Sequence, residues 1–324
     1  MHRTRRHLTA ALACAAALSL PALPALAQAW PGKTVNVVIN FPPGGPADLL
    51  GRSITAVLQD TLKQTFVVEN RAGAGGNVGA AAVAKAAGDG HTLLVGIDTA
   101  FTVNPHLYPA MPFKPGELKP VIIMASSGLL IGVNPASGIR TVGDLIVKSR
   151  QRPLNFSNAG NGSPGHLAAA ILSSSTPAKV TAVPYKGNAP AVTAILGGEV
   201  DGGILATPGL LPHVKTGKIT ALAVTSAQRS QLAPQLPTVA ELGLKALESE
   251  VLYLVMAPAT TPDAVVQAMA RHIADALQRP ELRARLKSLD LFPEGQTGAV
   301  AAKRLADLSA RYADIVRSTG MKAE

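Results

Sequence analysis

One cysteine, Cys14, occurs in 324 residues, and it lies inside an apolar N-terminal run. Beyond that run the chain has no thiol, so disulfide scaffolds, thiolate zinc sites and dithiol redox motifs are all excluded. Aromatic residues make up only 3% of the chain and charged residues 15%. Lysines and arginines exceed acids, giving a formal net charge of +10, but they are scattered and form no dense run. That pattern argues against nucleic acid as a partner, because neither a basic stripe nor stacking aromatics are present. Catalytic signatures are also missing. No G-x-S-x-G elbow and no H-E-x-x-H pair occurs. The histidines outside the N-terminal run (His91, His106, His166, His213 and His272) are dispersed, and no metal set is expected. Gly73-Ala-Gly75-Gly76-Asn77-Val78-Gly79 looks like a phosphate loop but lacks the Lys-Ser/Thr ending, and it reads as a tight turn into a helix. With no nucleophile–base pair and no cofactor fingerprint that holds, the chain reads as a non-enzyme without cofactors.

What is present begins with an address. Arg3, Arg5 and Arg6 precede an apolar stretch from Leu8 to Leu26, and Ala25-Leu26-Ala27 supplies the small-x-small pattern of a cleaved signal. Pro21 and Pro24 interrupt a run barely long enough to span a bilayer, which disfavours a membrane anchor. Thr4-Arg5-Arg6-His7-Leu8 resembles a twin-arginine signal, and the general secretory route is the alternative. Residues 1–27 are therefore expected to be removed on export to the periplasm. Losing three arginines from +10 leaves +7 on the mature chain, a balance that favours anionic partners without naming one.

The mature chain alternates β-branched runs with helical periodicity. Strands are predicted at Thr34–Asn40, Phe66–Glu69, Thr92–Gly96 and Val121–Ala125. After a restart they are predicted at Leu154–Ser157, Val180–Val183, Gly202–Leu205 and Ala221–Val224. Helices are predicted over 47–62, 78–86, 166–173, 189–196, 262–277 and 299–317. Strands separated by helices imply mostly parallel sheets covered on both faces. The expected fold is α/β with two lobes, residues 28–125 plus 249–324 forming one and 126–248 the other. Ligands in such sheets sit beyond the carboxyl ends of strands.

Two strand-to-helix loops there stand out. Phe41-Pro42-Pro43-Gly44-Gly45-Pro46-Ala47-Asp48 combines proline stiffness with glycines that admit close backbone approach. A helix start follows, able to take an anion on unpaired N–H groups. The rival reading is a plain turn with Asp48 as an early-turn acid. The second loop, Asn158 to His166, contains G-x-G-x-x-G at Gly160, Gly162 and Gly165, which raises a nicotinamide-dependent oxidoreductase. That motif needs an acid about 20 residues on, and no Asp or Glu occurs between His166 and Gly198. What remains is another helix start, with Ser163 as N-cap and Pro164 at the first helical position.

An ordered set of motifs then adds a resemblance. It runs through Phe41-Pro-Pro-Gly-Gly45 with Asp48 and Arg52, Val68-Glu-Asn-Arg71, Asn104-Pro105 with Leu107-Tyr108, and Ala159-Gly-Asn-Gly-Ser163 with His166. It continues through Val183-Pro-Tyr-Lys-Gly187, Pro212-His213 and Ala221 to Ser226, and ends at Pro237-Thr-Val-Ala-Glu241. From about Trp30 onward the chain resembles the solute receptors of tripartite tricarboxylate transporters. The resemblance implies a type II Venus-flytrap periplasmic binding protein, working as a monomer with inner-membrane transporter subunits. Its implied ligand is a small organic carboxylate held between the two glycine-rich loops. The residues it points to are Phe41, Pro43, Gly44, Gly45, Asp48 and Thr99 on one side. On the other they are Ala159, Gly160, Asn161, Gly162, Ser163, Tyr185, Leu205 and Ala206. Where many relatives carry an aromatic followed by an acid or amide, this chain has Ile204, Leu205 and Ala206. A tryptophan common in relatives is replaced near Tyr253. Both changes make the far wall more apolar, so an aromatic or aliphatic monocarboxylate stands beside a citrate-like one. A carboxylate sensor feeding a signalling system shares the same binding chemistry.

Overall fold

A computed structural model describes residues 30–323; the expected signal peptide lies outside the described residues. The first sheet contains β1 (Val35–Ile39), β2 (Phe66–Asn70), β3 (Thr92–Ile97), β4 (Leu118–Ser127), β10 (Val251–Pro258) and β11 (Phe292–Thr297), in the order β11-β4-β10-β3-β1-β2. The second contains β5 (Leu129–Val133), β6 (Leu154–Asn158), β7 (Val180–Pro184), β8 (Gly202–Ala206) and β9 (Thr220–Val224), in the order β7-β6-β8-β5-β9.

Alternation in the first sheet sorts side chains to two faces, as a pleat requires. Val35, Val37, Ile39, Leu93, Val95 and Ile97 face one hydrophobic cluster, while Val38, Leu94, Leu252, Leu254 and Met256 face another. The first cluster is covered by α1 (Pro46–Leu62), α9 (Asp263–Leu277) and α10 (Pro280–Ser288). The second is covered by α2 (Asn77–Ala84), the short α3 (Thr99–Thr102) and α11 (Gly298–Thr319). Burial on both faces explains why these strands are apolar along their whole length. A further short helix, α4 (Asn104–Leu107), follows α3 directly. The second sheet packs α5 (Val142–Gln151) and α6 (Pro164–Ser175) on one face and α7 (Asn188–Gly197) and α8 (Thr207–Lys215) on the other.

The expected two-sheet α/β architecture is present, but each sheet is mixed instead of mostly parallel. β1 pairs in parallel with β2 and β3, and β6 with β7 and β8. β10 is antiparallel to β3 and β4, and β5 is antiparallel to β8 and β9. β4, β5, β9 and β10, the strands flanking the two crossings, all take part in antiparallel pairs, and the edge strand β11 is antiparallel to β4.

The crossing itself is tightly tied. The chain passes from β4 to β5 through Gly128 and returns between β9 and β10. The Thr225 hydroxyl donates to the Ser249 carbonyl (2.8 Å) and accepts from the Leu129 N–H (2.9 Å), so one buried side chain joins both crossing segments. A Cβ on Gly128 would lie 2.8 Å from the Ser226 Cβ and 2.9 Å from its backbone nitrogen, a spacing only glycine allows.

Candidate functional site

A cleft of about 480 Å³ lies between the two sheets, within the size range of small-molecule sites. Its walls come from the carboxyl ends of β1, β3, β6, β7 and β8, the position expected for a ligand in open α/β sheets. Four helices of eight or more residues begin at its lining. α1 starts at Pro46 after Gly44 and Gly45, α6 at Pro164, α7 at Asn188 after Gly187, and α8 follows Ala206. The opening N–H groups of a helix have no intrahelical acceptor, and its dipole leaves partial positive charge there. No acidic side chain lines the cleft, and Lys186 and His213 are its basic ones. Lys186 is exposed and forms no ion pair among the described residues. Converging helix starts without an acid make a place for an anion.

The first glycine-rich loop reaches this cleft through Phe41, Pro43, Gly44 and Gly45. Gly44 adopts φ +81°, open to glycine at no steric cost, and a Cβ there would meet nothing within 4 Å. Asp48 behind it is buried and turned inward. Its carboxylate accepts from the Gly44 N–H (3.0 Å), the Asn70 amide (2.9 Å) and Arg52 Nε (2.9 Å). Burial opposes its ionisation, but these three partners together hold the carboxyl below the usual carboxylate range. Asp48 therefore braces the loop, and the Gly44 N–H expected to meet the ligand is already committed to it.

The second loop is placed differently from the sequence-based expectation. Ala159 lines the cleft, as do Leu205 and Ala206, whereas Gly160, Asn161, Gly162 and Ser163 do not. Three of the loop's amides close on the loop itself. Gly160 N–H donates to Asn158 Oδ1 (2.9 Å), Gly162 N–H to His166 Nδ1 (3.3 Å) and Ser163 N–H to the Gly160 carbonyl (3.0 Å). Ser163 caps α6 by accepting from His166 N–H (3.3 Å), as its N-cap position predicts. Burial pushes the His166 imidazole below its ordinary pKa, keeping it neutral and able to accept from Gly162. Gly165 packs α6 against the Ile204 carbonyl of β8 so closely that no Cβ fits. That contact accounts for the third glycine of G-x-G-x-x-G without a dinucleotide.

Asn161 and Gly162 instead meet the first half of the molecule. Tyr108 donates its hydroxyl to the Asn161 carbonyl (3.2 Å), and a Cβ on Gly75 would lie 2.9 Å from that same oxygen. Asn104 Oδ1 fills the space beside the Gly162 Cα. Thr99 is buried at the start of α3, two residues beyond the cleft residue Ile97, and its hydroxyl has no partner among the described residues. Tyr185 points its hydroxyl towards Glu199 (3.4 Å), while the neighbouring Lys186 lines the cleft.

Several cleft residues escape the sequence-based selection. These are Lys186, Asn188, Val192, Thr193 and Leu196 from the β7–α7 segment, and Gly209 and His213 from α8. The signal for the first was available, since Tyr185-Lys186-Gly187 follows a predicted strand and precedes a predicted helix. Ile97, Leu129, Val251 and Tyr253 complete the floor. Among the described residues no group of three or more His, Cys, Asp or Glu could hold a metal, and no helix is long and apolar enough to cross a membrane.

Fold and cleft together define a two-lobed binding protein whose site suits a small anion. Residues 50–321 match the model of the tripartite tricarboxylate transporter family receptor. Protein BugT of Bordetella pertussis is 36% identical over 305 residues, covering 93% of this chain and 94% of that protein. A solved structure of R. palustris Rpa4515 with adipate superimposes with a TM-score of 0.83 at 32% identity, covering 90% of this chain and 99% of that one. MatC of Rhodopseudomonas palustris with bound malate gives 0.79 at 30% identity, covering 89% and 100%. The chain belongs to the tripartite tricarboxylate transporter receptor family and is a solute-binding receptor of that family.

Proposed function

We propose that this receptor is exported to the periplasm, captures a small organic carboxylate between its lobes, and delivers it unchanged to the membrane subunits of a tripartite transporter. The observation that carries this reading is the convergence of four helix starts on one cleft that has no acidic lining. Relatives crystallised with adipate and with malate support a carboxylate as the ligand class. The anion is held by the opening amides of α1 and α7 and by the Gly165 amide of α6, with Phe41 to Gly45 and Ala159 around it, and Lys186 supplies long-range attraction. The lobes are residues 28–125 with 249–324, and 126–248, hinging where the chain changes sheet at Gly128 and between Thr225 and Glu250. The receptor acts as a monomer and catalyses nothing.

Calorimetry against a panel of organic acids, followed by chromatography of the recovered ligand, tests this directly. Binding with quantitative recovery is expected. Turnover of a bound acid with added nicotinamide cofactor, proportional to protein and lost on Gly162→Val, would instead favour an oxidoreductase. Loss of uptake in a deletion strain separates transport from a purely sensory role, which uses the same cleft.

A further inference from the structure

Beyond the helix starts the cleft changes character. Ala189, Val192, Thr193 and Leu196 recur at helical spacing, so one face of α7 runs along the cavity. Seven residues at 1.5 Å rise carry that face roughly 10 Å from the end where the amides converge. The floor opposite is aliphatic apart from Tyr253, which is only 2% exposed. The Tyr253 hydroxyl is already paired with the Ser127 hydroxyl (3.1 Å), so the ring offers carbon to the cavity and no free donor. Leu196 lies one face-repeat beyond Val192 and Thr193 along α7, and the half-buried His213 lines the cavity from the later part of α8. Neither lysine nor arginine lines that end of the groove, so a second carboxylate there would find only His213 to pair with among its lining side chains. A compact hydroxy acid would leave this end unfilled.

We infer that the ligand is a monocarboxylate with an extended apolar body, aliphatic or aryl-alkyl. Its carboxylate sits at the helix starts, and its body lies in the groove between α7 and α8. This inference rests on the carboxylate reading above and narrows it. Each methylene moved from water into the groove tightens binding by roughly threefold to fourfold until the groove is full.

Titration calorimetry on the full mature receptor provides the test, using acetate, butanoate, hexanoate, octanoate and 3-phenylpropanoate beside adipate, malate and citrate. The expected result is an affinity that climbs along the alkanoate series. Octanoate or 3-phenylpropanoate should bind at least tenfold more tightly than adipate or malate. Leu196→Gln, at a half-buried position that does not threaten folding, should weaken octanoate about tenfold or more and acetate hardly at all. A flat alkanoate series, or tighter binding of adipate, malate or citrate, overturns the inference while leaving the carboxylate reading intact. If none of these anions binds, the carboxylate reading falls and this inference with it.

Discussion

The Tyr108 hydroxyl donates to the Asn161 carbonyl at 3.2 Å, joining a residue that follows the short helix α4 to the second glycine-rich loop across the two halves of the molecule. The loop expected to grip ligand with its amides thus spends three of them, those of Gly160, Gly162 and Ser163, on its own turn and presents a carbonyl to the opposite lobe. Where the lobes close on ligand as proposed, whatever stabilises the docked loop also stabilises the closed cleft. Tyr108→Phe removes one partly buried hydrogen bond, worth about 0.5–1.5 kcal/mol. Ligand affinity should fall by roughly threefold to tenfold. Small-angle scattering of the unliganded variant should show a less compact particle than the parent. Identical scattering and affinity would show that the contact does not contribute to closure.

The hinge offers a second test. Thr225 satisfies the Leu129 N–H and the Ser249 carbonyl with one hydroxyl, and all three residues are buried. Thr225→Val keeps the shape and strands both backbone groups, at a cost of about 1–3 kcal/mol per buried group. Chemical denaturation should report a loss in that range. Thr225→Ser, which retains the hydroxyl, should recover most of it. Equal stability of the Val and Ser variants would remove the hydroxyl from the account.

Asp98 gives the stability a pH dependence. It is buried between β3 and α3, where it accepts from the Leu252 N–H (2.9 Å) and the Thr102 hydroxyl (3.1 Å). Burial outweighs those hydrogen bonds and the more distant attraction of Arg304, raising its carboxyl from 3.8 to about 6. A raised acid favours the protonated fold, so its contribution is complete below about pH 4 and is lost as pH rises through 6. The penalty above that range is on the order of 3 kcal/mol. Asp98→Asn preserves the acceptor for Leu252 and can donate to Thr102. It should therefore melt higher than the parent at pH 8, with the gap closing towards pH 4. A constant gap across that range would show that Asp98 does not titrate between 4 and 6.

Sequence patterns expose the fold where local signals and tertiary structure agree. α6 is bracketed by Pro164 and Pro177 and α7 by Gly187 and Gly198, while α1 opens at Pro46 and β6 follows Pro153, so their reading needs little tertiary information. Thr141 opens α5 with a reciprocal capping box to Asp144, a signal present in the chain but outweighed by the polar helix that follows. β11 is invisible for a different reason. Phe292-Pro-Glu-Gly-Gln-Thr297 has turn composition, and only pairing with β4 at the sheet edge makes it a strand. The site divides in the same way. Gly44 and Gly45 can be read from a glycine-rich turn ahead of a helix. Val192, Leu196 and His213 show which helix faces exist, but not that α7 and α8 turn those faces to one cavity.

The last prediction separates a backbone grip from a side-chain ion pair. Lys186 lines the cleft but is exposed, so solvent and salt screen it. Lys186→Ala should weaken carboxylate binding by tenfold or less, with the difference shrinking at high ionic strength. The helix-start amides sit behind Gly44 and Gly45, where each charge-assisted hydrogen bond contributes about 1.5–3 kcal/mol. A Cβ at Gly44 would meet no protein atom within 4 Å, so a side chain would project into open space at a residue that lines the cleft proposed to hold the anion. It would also be held at φ +81°, a conformation that a β-branched residue resists. Gly44→Val should therefore abolish binding outright, and Gly44→Ala should weaken it by at least tenfold with only a small loss of melting temperature. Pro43→Ala, which leaves the backbone path open, should bind within a few-fold of the parent. Calorimetry on these four variants at low and high salt gives the answer. Loss of all binding in Lys186→Ala, alongside normal binding in Gly44→Val, would mean that the lysine holds the anion and the helix starts only shape the cleft.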